Sequence, residues 1–378
     1  MVIGAPKEIH RYEHRVGLTP SAVAQLTRRG HEVVVEQGAG VDAHFLDHDY
    51  EKCGARIVYD PEEVYQRADL VTRVGLLADE ELDLLKPGST ICAFHHLAVA
   101  PRHRIERLME LGVTLIGYEV VRDAAGGLPV LFPLSEVAGQ MAVHVGAHYL
   151  QNGEGGRGIL LGNVPGVPPP TVLILGAGTV GGAAAREAAA AGAHAIVFDS
   201  DVSRLRVLRR ELGSRVVTAL SGHTRLERYT TFADVVIGAV LDPGNRAPRL
   251  ITEEMVRAMR PGSVVLDVAI DQGGCVATSR PTTLEDPVFI LHDVVHYCVP
   301  NMTANVARTA TRVLTNAAVP YLLTLADRGV DGALAADPGL AQGIYLHRGR
   351  MASEWAGATV GIPATPIAEL LETEGSGS

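Results

Sequence analysis

Residues 171–201 read TVLILGAGTVGGAAAREAAAAGAHAIVFDSD, and the reading of this stretch decides the fold. Residues 172–175 are a short apolar run of Val, Leu and Ile, the composition of a strand buried on both faces. The run stops at Gly176. Gly176, Gly178 and Gly181 then form G-x-G-x-x-G at the entry to an Ala-rich helix. The first glycine permits the tight turn, the second lets backbone approach a pyrophosphate, and the third allows the helix to pack closely on the strand. Thr179 and Val180 open the helix, whose free N–H groups and positive dipole end suit phosphate. Asp199 closes the next β-rich run, 23 residues after Gly176. Its carboxylate accepts both ribose hydroxyls and repels a 2′-phosphate, so the expected cofactor is NAD, not NADP. A glycine-rich turn alone is weak evidence in a chain with 41 Gly. Here the preceding strand, the following helix and the acid all agree.

The same alternation extends in both directions. Upstream, VIGAPKE, HEVVVEQ, ARIVY, DLVTRV, STICAFHH and VTLIGYE read as strands, and the segments between them read as helices. One helix is marked by Thr19 as N-cap, Pro20 at its first position and Gly30 past its end. Downstream, AHAIVFDS, DVVIGAVL and SVVLDVAID continue the series. Repeated βα units predict an α/β fold with two Rossmann-like domains built on parallel, doubly wound sheets. A long helix is expected over residues 135 to about 151 with Ser135 as its N-cap, followed by a Gly/Pro-rich loop. From about Asn305 the chain reads as helical, and its tail ELLETEGSGS reads as frayed.

Composition narrows the function. The chain has 378 residues, 47% hydrophobic and 20% charged, enough for two cored domains. Its net charge of −10 and lack of Lys/Arg runs make nucleic acid and anionic membrane surfaces poor partners. No run of about 18 apolar residues is present to span a bilayer. The first residues carry charges where a secretory leader needs an apolar stretch, so a cytoplasmic location is expected. The four cysteines form no CxxC pair and read as reduced core residues, and no metal site is expected.

Five blocks carry a resemblance to a known family: GAPKEIHRYEHRVGLTPSAVAQLTRRGHEVVVEQGAG (4–40), PLSEVAGQMAVHVGAHYL (133–150), GNVPGVPPPTVLILGAGTVG (162–181), VIGAVLDPGNRAP (236–248) and LDVAIDQGGCVATSRPTT (266–283). In that order and spacing they resemble alanine dehydrogenase and the related transhydrogenase α subunit. The resemblance implies a substrate domain of residues 1–130 plus 306–378, an NAD-binding domain of residues 131–305, and an active cleft between them. It further implies a small-molecule amino acid, keto acid or imine as substrate, hydride transfer to or from NAD, and a homo-oligomer, typically a hexamer.

Residue by residue, Arg15 matches the arginine that holds the substrate carboxylate, a bidentate task suited to guanidinium. His96 matches the acid/base histidine. Most strand-end histidines are satisfied core residues, and the adjacent His95 is read that way. Asp271 matches the aspartate beside the nicotinamide, while Asp267 is read as structural. Asn301 matches a residue near nicotinamide and substrate. Ser135, Thr179, Val180, Ser221, Val240 and Leu241 match positions lining the NAD site.

The chain departs from the family at one functional position. Where the family has K-V-K-E-P, this sequence has Arg73-Val74-Gly75-Leu76-Leu77. The second family lysine contacts the substrate's carboxylate and carbonyl, and Gly75 stands in its place. Arg73 matches the first family lysine and lies two residues away, a possible substitute in the substrate pocket. Three readings stay open: a changed, bulkier substrate; a weak alanine dehydrogenase that relies on Arg73; and an NAD-binding homologue without catalysis. Outside the dehydrogenase class stand a subunit of a membrane transhydrogenase and an NAD-sensing module.

Overall fold

The computed structural model describes residues 1–97, 100–240 and 247–375. Six strands come first: β1 (Val2–Ala5), β2 (Glu32–Glu36), β3 (Arg56–Val58), β4 (Leu70–Thr72), β5 (Thr90–Ala93) and β6 (Thr114–Gly117). Seven follow: β7 (Thr171–Leu175), β8 (His194–Asp199), β9 (Val216–Leu220), β10 (Val235–Gly238), β11 (Val264–Asp267), β12 (Val288–Leu291) and β13 (Val294–Tyr297). Two more, β14 (Ile344–His347) and β15 (Arg350–Met351), close the count among the described residues.

The chain divides into two compact units, residues 1–134 with 304–378, and residues 135–303. The sequence reading set these boundaries at 130/131 and 305/306. The first unit holds the sheet β15-β14-β6-β5-β4-β1-β2-β3 and the second β12-β13-β11-β10-β7-β8-β9. From β1 the chain winds outward through β2 and β3, then returns to start β4, β5 and β6 on the other side. The second sheet repeats this, with β7 to β9 one way and β10, β11 and β13 the other. Each sheet therefore has a topological switch point, between β1 and β4 and between β7 and β10. Ligands of open α/β sheets bind outside the strand C-termini at such points.

Strict alternation buries both faces of each sheet. Val172 and Ile174 join one core cluster, and Leu173 and Leu175 the opposite one. Cys92 and Ile116 face one layer of the first unit, and Ile91 and Leu115 the other. That is why these strands read as continuous apolar runs. The helix Pro20–Arg28 begins as its sequence dictates, with the Thr19 hydroxyl accepting from Ala22 N. Three cysteines are buried, Cys53 is half-buried, and all four are free thiols.

Three expectations need correction, and a fourth, the parallel sheets, holds with antiparallel strands added at the sheet edges. The long helix runs Leu131–Tyr149, so Ser135 lies inside it and is not its cap. Val130 and Leu134 are core residues of the first unit, and their burial draws the helix start back past the polar Ser135. Pro133 sits in the first turn, where a missing N–H costs nothing. The C-terminal region is not wholly helical. Its helix Ala307–Ala336 breaks at Gly329 (φ 71°), and β14 and β15 then pair antiparallel with each other and onto β6. Neither sheet is purely parallel, since β12 also pairs antiparallel with β13. The segment taken as a frayed tail is helical over Ile367–Gly375.

Candidate active site

In the first unit, four neighbouring strands, β6-β5-β4-β1, deliver polar residues just past their C-terminal ends: Glu119, His96, Arg73 to Gly75, and Glu8. The β4–β5 pairing continues beyond the strands, with Arg73 N donating to Cys92 O at 3.1 Å and Phe94 N to Val74 O at 3.0 Å. This fixes the Gly75 segment against the His96 segment. The Arg15 loop lies over the same edge. A Cβ on Gly17 would come within 2.2 Å of Thr72 O, so only glycine allows that approach. Val16 N also donates to Thr311 Oγ1 at 3.2 Å.

Arg15 is 5% exposed, not a solvated surface arginine. Its Nε donates to Glu13 Oε1 at 2.6 Å and a terminal nitrogen donates to Glu13 Oε2. Glu13 therefore orients the guanidinium plane, a role the sequence reading missed although the E-x-R spacing carried it.

His96 is exposed, with a left-handed backbone (φ 44°) and its ring stacked on Phe94. Its backbone N–H donates to Glu119 Oε1 at 2.6 Å, and Tyr345 OH donates to the same oxygen at 3.0 Å. A charged acceptor at 2.6 Å stabilises a conformation that a non-glycine residue seldom adopts. His95 turns the other way. It is buried, its Nε2 lies 3.2 Å from Ile91 O, and burial lowers its pKa. The two adjacent histidines thus divide into a buried residue and an exposed one.

Arg73 is where the sequence reading needs correction. Its guanidinium is buried and does not reach toward a substrate. It donates to Glu8 Oε2 at 2.7 Å, to Glu81 Oε1 at 2.6 Å and to Tyr65 OH at 3.0 Å. Tyr65 OH in turn donates to Glu81 Oε1 at 2.7 Å, and Val74 N donates to Glu8 Oε1 at 2.6 Å. Burial pushes the Glu8 carboxyl above its ordinary range while Arg73 pulls it down. Gly75, by contrast, borders open space. Among the described residues beyond its chain neighbours, a Cβ there would have Glu8 Oε2 within 4 Å, at 3.8 Å.

In the second unit the glycine turn fits a dinucleotide. Gly176 has φ 102°, and a Cβ on it would lie 2.4 Å from Ala239 O, across the switch point. A Cβ on Gly181 would meet Gly176 O at 1.8 Å. Among the described residues, a Cβ on Gly178 would meet nothing beyond its chain neighbours within 4 Å, the open approach a pyrophosphate requires. Thr179 and Val180 open the helix Thr179–Ala191 directly behind it. Asp199 ends β8 at 7% exposure. Its Oδ2 accepts from Ala177 N at 2.6 Å and its Oδ1 from Asp201 N at 2.7 Å, so the acid is tied to the turn it serves.

Other residues of the second unit also follow strand ends. Ser221 comes directly after β9, with its N donating to Asp199 O at 3.0 Å. Val240 follows β10, and Leu241 lies outside the described residues. Asp271 is exposed in a 3-10 turn, Val268–Gln272, that begins where β11 ends. Asp267, inside the strand, is buried and accepts from Cys275 N at 2.9 Å and Val276 N at 3.1 Å, and burial raises its pKa. That is the structural role read for it. Asn301 follows β13, exposed and left-handed at φ 52°, a conformation asparagine tolerates. Ser135 is half-buried within its helix.

Comparison with known proteins places these two halves. The family alanine dehydrogenase/PNT, N-terminal domain, matches residues 4–138, and alanine dehydrogenase/PNT, C-terminal domain, matches residues 142–354. The chain is 45% identical to an alanine dehydrogenase of Mycolicibacterium smegmatis over 98% of this chain and 100% of that one. It is 43% identical to an alanine dehydrogenase of Bacillus subtilis over 100% and 99%. Among solved structures, an L-alanine dehydrogenase superposes with a TM-score of 0.91 at 43% identity, covering 95% of this chain and 99% of the other. A transhydrogenase from Sinorhizobium meliloti shares the fold, with a TM-score of 0.80 at 24% identity over 94% and 99%. Both halves are matched along almost their whole length, with the glycine turn of the second intact, and the chain belongs to the alanine dehydrogenase/PNT family.

Proposed function

We propose that this chain, an NAD-dependent amino acid dehydrogenase, acts on an amino acid bulkier than alanine. The reaction converts an α-amino acid, NAD⁺ and water to a 2-oxo acid, ammonium, NADH and a proton. The observation that carries the proposal is Gly75. The substrate-contacting lysine expected there is absent, and among the described residues a Cβ on Gly75 would meet only Glu8 Oε2, at 3.8 Å, apart from its chain neighbours. Arg73 offers no replacement, because Glu8 and Glu81 hold its guanidinium in the core.

The roles follow from chemistry. Bound NAD supplies the acceptor for hydride. Arg15, its plane set by Glu13, grips the substrate carboxylate. The exposed His96 imidazole takes the proton that water loses on attacking the imine, and returns it in the reverse direction. Asp271 opposes the positive charge of an iminium. Asn301 hydrogen-bonds near the reacting carbon. Asp199 takes the adenosine ribose, and Gly178 and the helix start behind it take the pyrophosphate, with Ser135, Ser221, Val240 and Leu241 as further lining. The enzyme is a cytoplasmic homo-oligomer, a hexamer by family resemblance. Among the described residues no helix is long and apolar enough to cross a membrane.

The names of the relatives favour a second reading, alanine itself as a slow substrate. Steady-state kinetics decide between them. A cation near the carbonyl oxygen in a water-poor site is worth several kcal/mol, so its loss costs about two to three orders of magnitude on pyruvate. Wild type should be poor with pyruvate, ammonia and NADH, and Gly75→Lys should recover part of the activity. A wild-type efficiency at or above about 10⁴ M⁻¹s⁻¹ on pyruvate would overturn the proposal.

A further inference from the structure

The ion cluster beneath Gly75 sets two carboxylates against one guanidinium. Glu8 and Glu81 both pair with the single guanidinium of Arg73, and all three side chains are at most 3% exposed. Glu13, whose charge also bears on Glu8, is matched by Arg15. The Tyr65 hydroxyl supplies a hydrogen bond but no charge. Neither Glu8 oxygen is saturated. Oε1 accepts from Val74 N and Oε2 from Arg73, and each carboxylate oxygen has room for a second donor. Among the described residues, chain neighbours aside, Oε2 is the atom that a Cβ on Gly75 would approach within 4 Å. Gly75 itself is partly open to solvent. A lysine at this position would bring a positive charge to the mouth of the cluster. In this chain nothing of the protein does so from that residue.

We propose that Glu8 is a specificity residue and that the substrate supplies the missing cation: an α-amino acid whose side chain ends in an amine or guanidine, seated in the space above Gly75 with its charge against Glu8 Oε2. This rests on the proposed function and narrows it from a bulkier amino acid to a dibasic one. Charge favours such a substrate over a neutral one of equal size. A neutral side chain would fill the space without offering Glu8 Oε2 a second donor, whereas an amine or guanidine adds a charge-assisted hydrogen bond there. Discrimination by an unmet buried polar group is also steeper than discrimination by a missing methylene.

The experiment compares kcat/KM on the intact enzyme with NAD for alanine, for neutral straight-chain amino acids of five and six carbons, and for dibasic amino acids of matched length. The expected result is a preference for the dibasic set of about tenfold or more, the scale on which one well-placed ion pair acts. Two variants test the cause. Glu8→Gln keeps the size and one oxygen and should erase the preference. Gly75→Lys supplies an internal cation, leaves the Glu8–Arg73 pair in place, and should reverse the preference toward alanine. It keeps the proposal testable should Glu8→Gln fail to fold. A neutral long-chain amino acid turned over better than its dibasic counterpart would overturn this inference while leaving the bulkier-substrate reading intact. Alanine turned over best of all by wild type would overturn both.

Discussion

Arg73 and Glu81 form a 2.6 Å ion pair in which the two side chains are 2% and 3% exposed. A pair so deeply buried contributes little net stability when complete, but removing one partner strands the other. Arg73→Ala would leave Glu8, Glu81 and the Tyr65 hydroxyl facing one another without a cation. The expected loss is about 3–5 kcal/mol, read as a lower midpoint in urea denaturation. Arg73→Lys keeps the charge but cannot span two carboxylates and a phenol, so it should fall between the two. If Arg73→Ala retained wild-type stability and lost activity instead, Arg73 would be a substrate residue after all.

The cofactor preference turns on Asp199. Its carboxylate accepts from Ala177 N at 2.6 Å, so it holds the glycine turn in addition to the ribose contact proposed for it. Asp199→Ala should raise the KM for NAD and narrow the ratio of kcat/KM for NAD over NADP. Wild type should prefer NAD, because a 2′-phosphate would meet the fixed negative charge. Equal use of both cofactors by wild type would contradict the assignment.

His96 and Asp271 belong to different units, and their variants should separate accordingly. His96→Ala and Asp271→Ala should each reduce kcat by roughly a hundredfold or more, the usual size of an acid–base contribution. NAD binding, measured by fluorescence titration, should be unchanged in His96→Ala, since the glycine turn and Asp199 lie in the other unit. Near-wild-type turnover in both variants would refute the proposed mechanism.

What the sequence disclosed and what it hid follow from the range of the interactions involved. The β7 strand, the glycine turn and Asp199 were legible because each is local: an apolar run, a φ of 102° at Gly176, an acid at the next strand end. Thr19 and Pro20 marked their helix for the same reason. The fate of Arg73 was illegible, because its partners come from residues 8, 65 and 81 and meet only when β1 and β4 pair. The Ser135 cap was misread because burial of Val130 and Leu134 outweighed a polar side chain's capping preference. The β14–β15 hairpin had a local signal that went unused. Arg348 and Gly349 both have positive φ, the two-residue turn that joins short antiparallel strands.

The glycine turn offers a paired test in which stability and cofactor binding come apart. A Cβ at Gly181 would sit 1.8 Å from Gly176 O, a collision with backbone that no rotamer relieves. Gly181→Ala must therefore shift the helix Thr179–Ala191 off β7, and both thermal stability and NAD affinity should fall. Among the described residues, a Cβ at Gly178 meets no atom beyond its chain neighbours within 4 Å, so Gly178→Ala should fold with a wild-type melting temperature. The added methyl would instead stand where backbone must approach the pyrophosphate, and NAD affinity should drop by about tenfold or more. Calorimetry with and without NAD reads both quantities on the same samples. A Gly178→Ala protein that binds NAD as tightly as wild type would show that the phosphates do not pass over this turn.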